Sequence, residues 1–280
     1  MTRAYLLLDS HLIPNIFARL FELANITVAH SLYLTTRYAE MASFGPVLVS
    51  VEPGSALAST FIEQWQGRAG IWLESDADET LVLEHLRSLI HVRLAGDVTA
   101  FFRFYDPCIT RLWLADLAEA ERDQLMGPVR VIRLPEGVVI QQNNPHQPCA
   151  RYATTPWLTL SAQTLEHLCQ ARREHFTQRL VEHGQRYFAP YLQGLDEPAQ
   201  QAWALGCQRN AARHGYSADD EVMAWASLYA AYGDEFPEGP EHAVYRQVLS
   251  QRAVAPEQRL EQLLDELMTQ MKPASVRYEP

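Results

Sequence analysis

Val98-Thr-Ala-Phe-Phe-Arg-Phe-Tyr-Asp-Pro107 is the stretch on which the fold turns. From Val98 to Tyr105 it is mostly β-branched or aromatic, which predicts the strongest strand of the chain. On such a strand Phe101, Arg103 and Tyr105 face one way, and Phe102 and Phe104 face the other. Asp106 then has the chemistry of a helix N-cap, and Pro107 that of the first helical residue, where a missing N–H costs nothing. A strand feeding directly into a capped helix is a building block of a layered α/β fold. Arg103 falls among aromatics near the carboxyl end of this strand, a place where α/β sheets often bind ligands. The alternative is that Arg103 pairs with a buried carboxylate and locks the strand-to-helix joint.

Upstream, Tyr5–Leu8, Val28–Leu34, Val47–Val51 and Gly70–Leu73 are short apolar runs of strand type. Between them Ile13–Leu23, Leu57–Trp65 and Glu79–Ile90 carry apolar residues at helical spacing. Downstream, helices are predicted at about Cys108–Leu117 and Glu119–Met126. A hairpin of Val129–Leu134 and Gly137–Gln142 follows, around Pro135-Glu136-Gly137. This alternation predicts a partly parallel, mixed sheet inside a layered first lobe of α/β or α+β type.

Asn143-Asn-Pro-His-Gln-Pro148 is rich in turn formers and reads as a linker, which places the domains at 1–145 and 146–280. Beyond it the pattern is helical. Ser161 caps a helix carrying Leu165, Leu168, Cys169, Phe176 and Leu180 that ends near Gly184. Asp196 caps the next, which stops at His214-Gly215. Ser217 with Asp220 resembles a capping box, and Pro256 opens a helix with Leu260, Leu263, Leu264, Leu267, Met268 and Met271 on one stripe. The second lobe is therefore predicted to be all-α.

Composition narrows the function classes. With 280 residues, 48% apolar and 20% charged, the chain can bury a core in each of two domains and is not a disordered protein. Its net charge of −11 is shared evenly, −6 up to Pro145 and −5 beyond it, and argues against general affinity for nucleic acid or anionic membrane. Lys272 is the only lysine, so every other basic residue is arginine. Cys108, Cys149, Cys169 and Cys207 form no CxxC pair and read as reduced core thiols. Asn25-Ile-Thr27 is a glycosylation sequon by chance in such a setting. No apolar run approaches the length of a membrane span, and Tyr5-Leu-Leu-Leu-Asp9 is too short for a signal peptide. The expectation is a soluble, cytoplasmic protein.

Catalytic templates find little. GxSxG, GxxxxGK[ST], GxGxxG and HExxH are all absent. His85 and His91 are spaced badly for one helix face. His175 and His183 could share a side, but solvated helix histidines are the simpler reading, and no metal or cofactor is expected. Cys149 near His146 could be a nucleophile and base, yet the intervening Pro148 favours an extended linker. The acidic runs Glu74–Glu79 and Asp219–Glu221 sit where helices begin, a position that negative charge stabilises.

Several short segments together carry a family likeness: Tyr5-Leu-Leu-Leu-Asp9, Gly45-Pro46-Val-Leu-Val49, Gly70-Ile-Trp72, Leu86-Arg87, Phe102-Arg-Phe-Tyr-Asp-Pro107, Leu112-Trp-Leu114 and Gly127-Pro128. Over roughly residues 4–135 the chain resembles the adaptor chaperones of bacterial type VI secretion (Tap or TEC type), a family first catalogued as a domain of unknown function. Val47 stands where an aromatic often follows the Gly-Pro pair. The resemblance implies a non-catalytic cytoplasmic protein that binds a secreted effector protein and loads it onto a VgrG-type spike protein, with no small-molecule substrate. Arg103, Phe104, Tyr105, Asp106 and Pro107 match its signature, as structural or binding residues. An adaptor should present an apolar surface with a polar rim; Trp203, Trp225, Tyr229, Tyr232 and Phe236 are candidate material for it, or else fill the helical lobe's core. Two alternatives stand beside this expectation: a hydrolase with an unrecognised site near Arg103, and a regulatory protein-binding module unrelated to secretion.

Overall fold

The computed structural model describes residues 2–24, 28–115, 117–144 and 147–271. Two compact units divide the chain, Met1–Arg172 and Arg173–Pro280. The expected junction at Pro145 and His146 lies outside the described residues, as do the Asn25–Thr27 sequon and Lys272. The unit boundary falls further on, within a helix. Leu158, Leu160 and Leu168 explain why: all three are buried in the core of the first unit.

In chain order the first unit contains β1 (Arg3–Asp9), α1 (Ile16–Ala24), β2 (His30–Ser31), β3 (Pro46–Val51), α2 (Ala56–Thr60, continued by a wider turn over Phe61–Trp65), β4 (Gly70–Ser75) and α3 (Glu79–Ser88). After these come β5 (His91–Arg93), β6 (Thr99–Phe101), α4 (Pro107–Leu114), α5 (Glu119–Met126), β7 (Val131–Arg133) and β8 (Val139–Gln141). The main sheet runs β2-β3-β1-β4-β7-β8, and every pairing in it is antiparallel. The architecture is α+β as expected, but the partly parallel, mixed sheet is corrected. Its physical cause lies in β1. Tyr5, Leu7, Leu48 and Leu73 face a core shared with α3, α4 and α5. Leu6, Leu8, Val47 and Val49 face a second core shared with α1 and α2. A strand covered by helices on both sides reads as a continuous apolar run whatever its direction, and such runs resemble those of parallel sheets.

A second correction concerns the decisive stretch. The strand stops at Phe101, and among the described residues β6 pairs only with β5, in a separate small sheet. Asp106 N–H donates to the Arg103 carbonyl (2.9 Å), so the chain turns before α4 begins. Alternation fails with it: Phe102, Phe104 and Tyr105 are all buried, while Phe101 is exposed. The predicted strand Val28–Leu34 similarly shrinks to β2.

The second unit takes up α6 (Ala162–Tyr187) partway along and continues with α7 (Ala189–Leu192), α8 (Glu197–Arg213), α9 (Asp219–Tyr232), α10 (Ala243–Leu249) and α11 (Pro256–Met271). It is all-α, as predicted. Ser161 and Asp196 cap as expected, through Thr164 N–H and Ala199 N–H (3.0 Å each). The capping box shifts by one residue: Glu221 Oε2 accepts from the N–H groups of Ser217 and Ala218. The cysteines are corrected too, since all are free but only Cys207 is buried, and Cys169 is exposed. Among the described residues no helix is long and apolar enough to cross a membrane.

Candidate functional site

The turn from β6 into α4 is where the signature residues meet the rest of the first unit. Asp106 caps α4, its Oδ1 accepting from the N–H groups of Cys108 (2.9 Å) and Ile109 (3.3 Å), with Pro107 at the first helical position. Thr110 Oγ1 donates back to the Phe104 carbonyl (2.5 Å), closing the turn. Phe104 and Tyr105 pack edge to face, 5.7 Å between ring centres, inside the core. These positions of the signature are structural in the plainest sense: they build the joint.

Arg103 reaches out of the joint. Its Nη2 donates to Asp9 Oδ2 at the carboxyl end of β1, so two segments 94 positions apart in sequence are tied together. The Asp9 side chain is only 4% exposed, whereas 39% of Arg103 remains open. The carboxylate is further held by His11 N–H, which donates to Oδ1 (3.0 Å). Burial works against the Arg103 charge, but Asp9, with help from Tyr105 and Asp106, outweighs it and leaves the guanidinium more basic than usual. Burial, then Tyr33 and Asp9, push the Tyr105 phenol well above its ordinary pKa, so it stays neutral. Tyr33 packs against Gly45, where a Cβ would stand 2.6 Å from the ring. The glycine of the Gly45-Pro46 segment is thus required by close approach. The expected pairing of Arg103 with a buried carboxylate holds; the identity of that partner, Asp9, is not legible in the sequence, because only the folded register brings β1 beside the joint.

A second buried polar group is equally illegible in the sequence. His85, expected to be a solvated helix histidine, is fully buried on α3. Its Nε2–H donates to the Leu125 carbonyl (2.8 Å), and its Nδ1 accepts from Ala150 N–H (3.2 Å). Burial pushes its pKa down to about 4, so the ring is neutral and clips residue 150 to α3 and α5. Gly127 has φ +53° and lies against the imidazole, leaving no room for a side chain. That contact gives the Gly127-Pro128 segment a physical meaning. The suggested partner of Cys149, His146, lies outside the described residues. Among the described residues no group of three or more His, Cys, Asp or Glu is placed to hold a metal ion.

Beside the joint lies a cleft of about 200 Å³. Val92, Leu94, Ala100 and Phe102 supply one wall from the small sheet, and Ile109 of α4 and Leu165 and Leu168 of α6 supply the other. Arg103 and Arg172 line it as well. A short extended segment closes the β5 edge of the small sheet: Arg93 N–H donates to the Leu158 carbonyl (2.9 Å), Leu160 N–H donates to the Arg93 carbonyl (3.0 Å), and Arg93 forms a parallel bridge with Thr159.

In the second unit the five candidate aromatics fall together, but inward. Trp225, Tyr229 and Phe236 are buried, and Trp203 and Tyr232 are half-buried against the same core. Trp225 Nε1–H donates to Asn210 Oδ1 (2.8 Å), and Asn210 Nδ2 donates to the Phe236 carbonyl (2.7 Å). Tyr229 O–H donates to Asp234 Oδ1 (2.5 Å). The reading of these residues as a docking surface is therefore corrected for the three buried rings, whose faces are covered by this unit's own side chains.

The family match falls on the first unit. Residues 4–124 match a sequence-family model described as a domain of unknown function (DUF4123), which takes in Asp9, the joint, α4 and most of α5 and covers less than half of the chain. No curated protein and no solved structure matches this chain.

Proposed function

We propose that this protein is a non-catalytic cytosolic adaptor that binds a secreted effector protein and hands it to a VgrG-type spike protein. The reading starts from the resemblance of its N-terminal segments to type VI secretion adaptors. The observation that carries it is the state of the signature's charged groups. Arg103 is held by Asp9, and the Asp106 carboxylate is occupied by the first turn of α4. Groups so committed favour a fixed scaffold over acid–base chemistry, which needs a titratable group free to exchange a proton with a substrate. What the region presents outward is apolar side chain, arginine and backbone, the materials of protein recognition.

The test is co-purification of the tagged full-length chain with the effector and spike encoded in its native gene neighbourhood, combined with gene deletion. The adaptor reading expects a complex with the effector and loss of that effector's secretion on deletion. If neither protein binds and secretion is unchanged, the reading fails.

A further inference from the structure

We infer that the free edge of β6 and the cleft beneath it form a docking site for an extended segment of a partner protein, one with alternating apolar side chains and a carboxylate. The effector is the partner only insofar as the adaptor reading holds; the site itself is argued from geometry.

Phe102 N–H donates to the Ile90 carbonyl (3.0 Å) and Leu94 N–H to the Val98 carbonyl (2.8 Å). In an antiparallel ladder the residues between such pairs turn their backbone groups the other way. Thr99 and Phe101 therefore point N–H and C=O away from β5, and among the described residues these groups have no hydrogen-bond partner. The mirror-image pattern on β5 is filled: Arg93 bonds to the segment at Leu158–Leu160. The small sheet thus has one closed edge and one open edge, and an open edge is a template for an added strand.

The cleft coincides with that edge. Ala100 and Phe101, consecutive residues of β6, both line it, and Phe102 and Arg103 follow beyond the end of the strand. One face of a strand offers only alternate residues, so the cleft must reach round the strand's edge. An added strand would send every second side chain toward Ile109, Leu165 and Leu168. Phe101, 44% exposed, stacks on Tyr33 with 5.5 Å between ring centres and would meet the intervening side chains.

Charge selects the occupant. In a chain of −11, this apolar cleft is lined by two arginines, Arg103 paired with Asp9 and Arg172 with an interaction of its own within the protein. Its one carboxylate, Asp106, is occupied by the helix cap. Arg103 keeps its outer side open while its Nη2 is bound by Asp9. A segment carrying Asp or Glu fits this setting, and a basic one does not.

The test is selection of short linear peptides from a displayed library on the full-length chain, followed by affinity measurement on three variants. Thr99→Pro removes an edge-facing N–H that no ladder bond uses, a place where proline is tolerated; it should weaken binding about tenfold, the cost of roughly one hydrogen bond. Leu165→Glu should weaken it by about a hundredfold, because it puts a charge into the apolar wall. Arg172→Glu should weaken acidic peptides about tenfold and be rescued by exchanging the peptide's carboxylate for lysine, which a loss of structure would not permit. Near-ultraviolet circular dichroism verifies that each variant keeps its fold. No enriched peptide, equal binding to all variants, or failure of the charge swap would overturn the inference. So would self-association of the wild-type chain that Thr99→Pro abolishes, since a second copy would then occupy the edge. If the effector binds wild type and all three variants alike, the adaptor reading stands and this site falls. If peptides bind as described but no effector does, the reverse holds.

Discussion

The two units solve the same problem, a polar group inside a core, in opposite ways. In the helical unit the hub is neutral: Asn210 bonds to Trp225 and to the Phe236 carbonyl, and packed aromatic rings close over it. In the first unit the hub is charged, and only one half of the pair is enclosed. A neutral, closed hub fixes shape and leaves nothing to offer. A charged pair with one open side fixes the joint between β1 and α4 while keeping an arginine at the surface. The contrast teaches where recognition is best sought: beside the joint, and away from the aromatic cluster that looks more conspicuous in sequence.

The comparison can be broken first at its most buried point. Trp225→Ala should cost about 4 kcal/mol, since it opens a cavity and strands the Asn210 amide. Denaturant titration measures it, and a cost below about 1 kcal/mol would mean that the helical core does not depend on its hub.

Acid tests the other closed site. His85 has a folded pKa of about 4 against an ordinary 6.5. The unfolded chain therefore takes up the proton first. Stability is fully present above pH 6.5 and declines as pH falls toward 4, by roughly 3 kcal/mol in all. His85→Gln should remove this slope between those limits, whatever its own cost at neutral pH. An unchanged slope would show that the loss comes from elsewhere.

Asp9→Ala should cost about 2 to 3 kcal/mol, less than a fully buried pair because Arg103 is partly screened by solvent. The double variant Asp9→Ala with Arg103→Met should recover part of that loss, as the stranded charge is then gone. Smallest is Asp106→Ala, expected to cost about 1 kcal/mol through loss of the α4 cap and readable as a small shift in the denaturation midpoint.

Much of this fold is legible in the sequence because it is written locally. Asp106-Pro107, Ser161, Asp196 and Pro256 mark helix starts by chemistry that acts within one turn, and apolar period places most elements. Strand direction is not local. Tyr5–Leu8 is apolar throughout because helices cover both of its faces, and that pattern is blind to whether its neighbours run with or against it. Partners are no more local than direction: Arg103 announces a need for a carboxylate, but choosing Asp9 requires the folded register. His85 could be read either way, since a histidine on an amphipathic helix looks solvated until Leu125, Gly127 and Ala150 are seen around it. The aromatics of α8 and α9 are open to two readings for a related reason, because the spacing that fills a core is also the spacing that lines a surface; the structure bears out the core.

The most direct test of the account is hydrogen–deuterium exchange on the full-length chain with and without its bound effector. New protection is expected at residues 99–103 and 160–172, along the β6 edge and the cleft. Protection confined to residues 173–271, with the β6 edge exchanging as in the free chain, would contradict it.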